Sequence, residues 1–230
     1  MIDPGGPQEL QQASDDVDSA PDGMVKTGST EPIVNIAGTL VALGPLRRDL
    51  LPLYLRWIND FTAGRNLGHV RAYTAEQETA WYDDFVKTDR DTMFTIYEHH
   101  SGRPIGTAGL HRVDHRNRTA EFGIIVGEAS ARGRGYGTET ARLVLDYAFL
   151  GLGLHSVYLR VFEFNKAGQR AYTKAGYREF GRRRQCQFMG GRLWDVIYME
   201  CLATEFSSPV LEKLLAPELD STEGGTEART

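Results

Sequence analysis

The stretch "ARGRGYGTETARLVLDYAF", residues 131–149, decides how this sequence is interpreted. It opens with a basic turn that contains Gly133, Gly135 and Gly137, and it continues with apolar residues at helical spacing. The residues before it, "TAEFGIIVG" at 119–127, have the composition of a strand. A strand, a glycine turn and a helix in this order leave free backbone N–H groups at the helix start, where they bind anions. The stretch therefore predicts a phosphate-binding turn.

Three other uses of a glycine-rich turn compete with this prediction. A dinucleotide-binding fingerprint that starts at Gly133 needs a third glycine at position 138, where Thr138 stands. A nucleotide P-loop needs the sequence Gly-Lys-Ser/Thr, which is absent. An RGG-type segment that binds nucleic acid needs a repeat, and one copy occurs here. The phosphate-binding interpretation is therefore favoured.

A second motif, "NKAGQRAYTKAGY", follows the next predicted strand at residues 165–177. Asn165 and Tyr172 are seven residues apart, so they share one face of a helix that ends at Gly176. If both strands end at the same crevice, this face and the glycine turn meet one ligand. The alternative is that Tyr172 packs in the core and Asn165 caps the helix.

Together the two motifs resemble the GNAT superfamily of acyl-CoA N-acyltransferases, in particular its RimJ/RimL-like branch. Arg132, Gly135 and Gly137 match the family's Arg/Gln-x-x-Gly-x-Gly/Ala pattern, and residues 165–177 match its Asn-x-x-Ala-type segment. Gly168 departs from that segment, because it stands where alanine is usual. The resemblance covers about residues 38–203, and we expect an acetyltransferase domain over residues 35–206.

The resemblance implies an α+β fold. Its expected core is a mixed, mostly antiparallel sheet of six or seven strands with about four helices, in which two central strands diverge into a V. The sequence pattern agrees: it predicts a meander of strands from residue 92 to residue 127, and a closing hairpin around "MGGR" at 189–192.

The resemblance also implies that acetyl-CoA is the acyl donor and that it lies in this V. Its pantetheine arm would pair with the strand residues Ile124, Ile125 and Val126, and Asn165 would form a hydrogen bond with this arm. Its pyrophosphate would rest on the glycine turn, formed by Arg132, Gly133, Arg134, Gly135, Tyr136, Gly137 and Thr138. The implied reaction is direct attack of an amine on the thioester, with no metal.

An amine with a pKa of roughly 10.4 costs about 4 to 5 kcal/mol to deprotonate at pH 7. Glu121 is the predicted base, because strand alternation places it on one face with Gly123 and Ile125, and because some family members carry their base there. The alternative is a salt bridge between Glu121 and Arg112. His111 is a weaker candidate for the base.

The departing thiolate benefits from a proton donor. The resemblance assigns this role to Tyr172, since an unperturbed phenol has a pKa of about 10 and an unperturbed thiol one of about 8.5. A backbone N–H near Val126 would polarise the thioester carbonyl.

The acceptor is expected to be a primary amine, either a peptide N-terminus or a small molecule. A polyamine such as spermidine is the second expectation, because its site needs several carboxylates and the candidates are few: Asp60, Glu98, Asp195 and Asp114. Two further alternatives are a catalytically silent CoA-binding module and an RNA-binding protein. The RNA interpretation depends on residues 182–184, three arginines that are more typical of a solvated sheet edge.

The charge of the chain is unevenly distributed. The full sequence of 230 residues has a formal net charge of -5, but residues 33–206 alone carry +4. A basic body suits an anionic ligand. Both ends are acidic, and no aromatic residue precedes Tyr54, so a disordered tail is predicted over residues 1–34. Residues 207–230 are predicted to be a flexible acidic tail, with a short interface helix at "PVLEKLLAP", residues 209–217, as the alternative.

The remaining composition limits location and partners. No signal peptide or membrane-spanning stretch is evident, which predicts a cytoplasmic protein. The two cysteines, Cys186 and Cys201, have no metal-type spacing and are expected to be free thiols. A homodimer is one expectation for the assembly, and nucleic acid is not an expected partner.

Overall fold

The computed structural model of the protein describes residues 31–68, 71–88 and 90–217. Their strands form one sheet in the order β1-β2-β3-β4-β5-β6-β8-β7. The strands are β1 Ile36–Ala37, β2 Val41–Pro45, β3 Thr92–Glu98, β4 Pro104–Asp114, β5 Thr119–Val126, β6 Ser156–Phe162, β7 Arg178–Met189 and β8 Arg192–Leu202. The helices are α1 Leu51–Asn59, α2 Phe61–Gly64, α3 Ala75–Phe85, α4 Tyr136–Asp146, α5 Lys166–Ala175 and α6 Leu211–Leu214.

The α+β class and the mostly antiparallel sheet are confirmed, but the predicted counts are wrong. The described residues contain eight strands and six α-helices, against the six or seven strands and four helices that were expected. The additional elements are short: β1 has two residues, and α2 and α6 have four each. β1 and α2 are too short to show a hydrophobic period, so the sequence pattern does not reveal them, whereas α6 lies within residues 209–217, for which a short helix was the alternative to a tail.

Two apolar clusters cover opposite faces of the sheet. On β5, Ile124 packs against a large cluster that includes the buried residues of α4, whereas its neighbour Ile125 packs against a smaller cluster formed with α1 and α3. Since successive strand residues point to opposite faces, the sheet is enclosed by helices on both sides. The helix boundaries follow local signals: Thr74 and Gln77 form the predicted capping box of α3, and Gly176 ends α5 with a φ of 115°.

The two central strands diverge, as predicted. β5 and β6 are the parallel pair, and their pairing is limited to three positions, the last of which joins Glu121 to Tyr158. β6 then continues along β8 as far as Phe162, while the rest of β5 continues along β4. Residues 122–126 of β5 therefore border a gap in the sheet.

The folded region extends beyond residue 206, where the sequence predicts that the tail begins. Leu211 is 5% exposed, and the side chain of the fully buried Asp146 accepts hydrogen bonds from the backbone N–H groups of Val210 (3.0 Å) and Leu211 (2.9 Å). This contact joins residues more than sixty positions apart and is invisible in a local pattern. Residues 1–30 and 218–230 of the predicted tails lie outside the described residues.

We expect Asp146→Ala to lower the free energy of unfolding by about 2 to 4 kcal/mol, because two hydrogen bonds to a buried carboxylate are lost. Chemical denaturation followed by circular dichroism measures this loss. Glu212→Ala, at an exposed position of α6, is the matched control and should change stability by less than about 0.5 kcal/mol. An unchanged midpoint for Asp146→Ala would show that this contact does not hold the segment.

Candidate active site

The glycine turn has the conformation that an anion site needs. Gly133 and Gly135 have φ values of 76° and 88°, which glycine adopts without steric cost, and α4 begins directly after Gly135. The N–H groups of Thr138 and Glu139 bond to the Gly135 carbonyl at 3.0 and 3.1 Å. Within the part of the chain that the structure describes, no acceptor bonds to the backbone N–H groups of residues 133–137. Thr138 was among the predicted turn residues, but its backbone N–H is bonded within the turn and is not free for a ligand.

The start of α4 is fixed by an acidic side chain whose role the sequence pattern does not reveal. The Glu139 carboxylate accepts hydrogen bonds from the backbone N–H groups of residues 39, 40 and 41, at 2.9, 2.6 and 2.7 Å. An acid in the first turn of a helix is a recognisable signal, but its partners lie about one hundred residues away. Glu139 therefore positions the turn against β2.

Two of the predicted turn residues use their side chains to support the turn. Tyr136 is buried, and its hydroxyl donates to Glu98 at 2.6 Å. Arg132 folds back on the end of β5 and donates to the carbonyls of Val126 (3.1 Å) and Gly127 (3.0 Å). Arg132 also pairs with Asp60 at 3.2 Å, which joins the turn to the start of α2. Arg134 also contacts Glu98, at 3.4 Å, but its side chain is 56% exposed.

The second motif lies on α5. Asn165 caps this helix, because its side-chain oxygen accepts from the Gly168 N–H at 2.9 Å. A Cβ atom at position 168 would lie 2.6 Å from the Asn165 amide nitrogen, which explains the glycine where alanine is usual. Asn165 therefore caps the helix, as the alternative interpretation expected. Its contact with a pantetheine arm stays a prediction.

Tyr172 lies on the α5 face of the sheet at the start of the gap. It is half-buried and makes edge-to-face contacts with Phe122 and Tyr177, each at 6.1 Å between ring centroids. Burial raises the pKa of the Tyr172 phenol to about 12. The hydroxyl therefore carries its proton at every physiological pH, as a proton donor must.

Glu121 lies at the last paired position of β5, and its side chain is 10% exposed. One oxygen accepts from Arg160 Nε at 2.6 Å, and the other accepts from Arg112 Nη1 at 3.1 Å and the Tyr158 hydroxyl at 3.3 Å. The salt bridge with Arg112, which the sequence left open as the alternative to a catalytic base, is therefore present. The base role of Glu121 stays a prediction.

Neither a metal cluster nor a membrane helix occurs among the described residues. They contain no group of three or more His, Cys, Asp or Glu side chains arranged to hold a metal ion. None of their helices is long and apolar enough to cross a membrane. Cys186 and Cys201 are free thiols.

The split parallel pair lies beside a helix start with free N–H groups, an arrangement that suits an acyl-CoA-dependent transferase, and the comparisons with known proteins give the family. The family model of the acetyltransferase (GNAT) domain matches residues 41–178. The chain therefore belongs to the GNAT acetyltransferase family. It is an acyl-CoA-dependent N-acetyltransferase whose acyl donor is acetyl-CoA, as predicted.

The chain is also similar to several acetyltransferases of other bacteria. Spermidine N(1)-acetyltransferase of Escherichia coli K12 is 28% identical over 69% of this chain and 84% of the relative. The corresponding enzyme of Vibrio cholerae is 27% identical over 66% and 89%. Probable N-acetyltransferase YjcK of Bacillus subtilis is 32% identical over 50% and 62%.

The fold is similar to that of a solved structure. Spermidine N-acetyltransferase from Vibrio cholerae, in complex with CoA and spermine, superimposes with a TM-score of 0.69 at 24% identity. The alignment covers 72% of this chain and 97% of that one. The fold is thereby confirmed, while the RimJ/RimL-like branch and the homodimer stay predictions.

Proposed function

We propose that this protein transfers the acetyl group of acetyl-CoA to a primary amine, either a peptide N-terminus or the amine of a small molecule. The reaction is direct attack within a ternary complex. One observation carries the proposal: consecutive unbonded N–H groups at residues 133–137 lie beside the end of β5, where the sheet opens. The Val126 side chain lies 3.9 Å from the position a Cβ would take at Gly137, so the turn and the gap are neighbours.

The arrangement supports a specific pose for acetyl-CoA. The diphosphate accepts hydrogen bonds from the free N–H groups of the turn, aided by the helix dipole and by the exposed Arg134. The pantetheine arm runs along residues 124–126 toward the start of the gap, on the path that β6 leaves open. Tyr172 then lies near the thioester sulfur and protonates the departing thiolate.

The contacts of the acidic residues favour a monoamine over a polyamine. All four carboxylates that could hold a polyamine accept hydrogen bonds from the protein itself, and these hydrogen bonds lower their pKa values. Their partners are Thr62 and Arg132 for Asp60, Tyr136 and Ser101 for Glu98, Asn117 for Asp114, and Gln185 and Arg182 for Asp195. A polyamine would have to compete with these partners for each carboxylate.

A polyamine acceptor is the second candidate, and the relatives favour it. Both the Vibrio cholerae and the Escherichia coli relatives are spermidine N(1)-acetyltransferases. The identity to them is 27 to 28%, a range in which the acceptor of a transferase can differ between proteins of one fold.

An amine screen tests the proposal. The full chain is mixed with acetyl-CoA and with tyramine, a tripeptide that has a free N-terminus, or spermidine, and thiol release is followed. We expect kcat/KM for the best monoamine to exceed that for spermidine by at least about tenfold. A higher value for spermidine would establish the polyamine candidate instead. Binding of acetyl-CoA without turnover on any acceptor would show a silent module.

A further inference from the structure

The end of β4 contains a bulge that brings two consecutive side chains to one face. The pairing of β4 with β5 is regular up to His111 opposite Glu121, and it resumes only at Asp114 opposite Thr119. Within the bulge Arg112 has a φ of 52°, a conformation that is uncommon for a residue other than glycine. In a regular strand Arg112 would point away from Glu121, but here its guanidinium bonds to that carboxylate. Bulges re-aim side chains in this way next to active sites.

The carboxylate of Asp91 contacts both the backbone of the bulge and the imidazole of His111. One oxygen of Asp91 accepts the Arg112 backbone N–H at 2.9 Å, and the other lies 3.2 Å from His111 Nδ1. Because an ionised carboxylate can only accept, Nδ1 carries the hydrogen in this contact, and in the neutral imidazole Nε2 is then the nitrogen with a free lone pair. No residue that the structure describes bonds to Nε2, and the His111 side chain is 39% exposed.

The free nitrogen lies at the start of the gap. A Cβ atom at Gly123 would be 3.1 Å from His111 Nε2, so the imidazole lies directly over this glycine. Gly123 comes two residues after the last paired position between β5 and β6. The residue before it, Phe122, contacts Tyr172 on the opposite face of the sheet. An imidazole and a phenol thus flank the gap from its two sides, at consecutive residues of β5.

We propose that His111, oriented by Asp91, accepts the proton of the incoming amine, and that Glu121 is a positioning residue that holds Arg112 and Arg160. This inference rests on the proposed function and names a further catalytic residue for it. The three hydrogen bonds that Glu121 accepts occupy both of its oxygens, and protonation of Glu121 would disrupt them. His111 has an unoccupied lone pair on the face that is open to an acceptor.

The proton balance of the step is complete. His111 Nε2 takes one proton from the ammonium group, and the neutral amine attacks the thioester carbonyl carbon, which forms the C–N bond. The C–S bond breaks, and the thiolate takes a proton from the Tyr172 hydroxyl. The second amine proton passes through water to the Tyr172 phenolate, and His111 releases its proton to solvent. The products are the acetamide, CoA and one proton.

Turnover of variants provides the first test, with the amine that reacts best among tyramine, the tripeptide and spermidine. We expect His111→Ala to lower kcat by about 100-fold or more, with the KM for acetyl-CoA within about twofold of the wild type. Added imidazole should restore part of the lost rate to this variant and none to Glu121→Gln. His115→Ala, in the exposed turn of the same hairpin, is the matched control and should retain the wild-type kcat. A wild-type kcat for His111→Ala, or a loss that imidazole does not relieve, would overturn the assignment.

Chemical modification provides a test that needs no acceptor. Diethyl pyrocarbonate modifies accessible histidines, and mass spectrometry measures the rate for each peptide. We expect saturating acetyl-CoA to slow the modification of His111 by at least about tenfold and to leave His115 unchanged, because the proposed pose puts the acetyl group near Gly123, the residue that lies beside Nε2. If calorimetry shows that acetyl-CoA binds but His111 reacts at the same rate, the inference fails and the proposed function stands. If acetyl-CoA does not bind, the proposed function itself fails.

Discussion

Gly137→Asp is expected to weaken CoA binding by about 100-fold, or roughly 2.7 kcal/mol, without loss of the fold. Gly137 has ordinary helical backbone, and the atom nearest to an added Cβ is 3.9 Å away, so the protein has room for a side chain. A carboxylate in the first turn of α4 interacts favourably with the helix dipole and should raise the free energy of unfolding by up to about 1 kcal/mol. The same carboxylate repels a diphosphate at that helix start.

Titration calorimetry with CoA and chemical denaturation, applied to the same preparations, measure the two effects separately. Gly181→Asp is the matched control, because it makes the same charge change on β7, at a position where no atom lies within 4 Å of an added Cβ. This control should bind CoA like the wild type. Wild-type affinity in Gly137→Asp would mean that the diphosphate is bound away from the turn.

Tyr172→Phe should lower kcat by about 100-fold while the affinity for acetyl-CoA stays within about twofold of the wild type. The phenylalanine ring retains the edge-to-face contacts with Phe122 and Tyr177, so only the proton donor is removed. Steady-state kinetics and calorimetry measure the two quantities. Because the pKa of Tyr172 is about 12, the donor is protonated below that value, and its ionisation should not reduce the wild-type rate below about pH 11.

Tyr177→Phe is the control for this result. Tyr177 belongs to the same aromatic cluster, and its buried hydroxyl has no hydrogen-bond partner among the described residues. Removal of this hydroxyl should leave kcat unchanged, since it makes no hydrogen bond to any described residue and is not assigned a role in the reaction. Equal turnover by the wild type and Tyr172→Phe would exclude Tyr172 as the proton donor.

The fold could be predicted wherever local chemistry determines it. The capping box at Thr74, the glycine end of α5 at Gly176 and the turn between β7 and β8 each depend on a few adjacent residues. β1 was missed because it depends on a tertiary contact, the pairing of two residues with β2. For α6 the sequence left helix and tail as alternatives, because the buried carboxylate of Asp146 on which this helix forms is distant in sequence.

In the candidate site, too, features that depend on adjacent residues could be predicted, and contacts between distant residues could not. The left-handed glycines at 133 and 135 could be predicted because the turn that precedes a helix requires them. The contacts of Arg132 with Asp60, of Glu139 with residues 39–41 and of His111 with Asp91 could not, because these partners lie 20 to 100 residues away in sequence. Their assignment needs the register of the sheet, and the bulge at Arg112 alters that register locally.

Glu121 shows most clearly what the sequence alone does not determine. The sequence identifies its strand and its face and names both of its candidate roles, base and ion-pair partner. The structure shows the ion pair with Arg112 and adds Arg160, which bonds to Glu121 where β6 pairs with β5 in parallel. No local pattern contains that information.

A crystal structure of the protein with CoA is the decisive test of where the acyl donor binds. We expect diphosphate oxygens within hydrogen-bonding distance of the backbone N–H groups of residues 135–137, with the thiol in the gap between β5 and β6. A diphosphate bound elsewhere on the surface, with these N–H groups still unbonded, would contradict the proposed site.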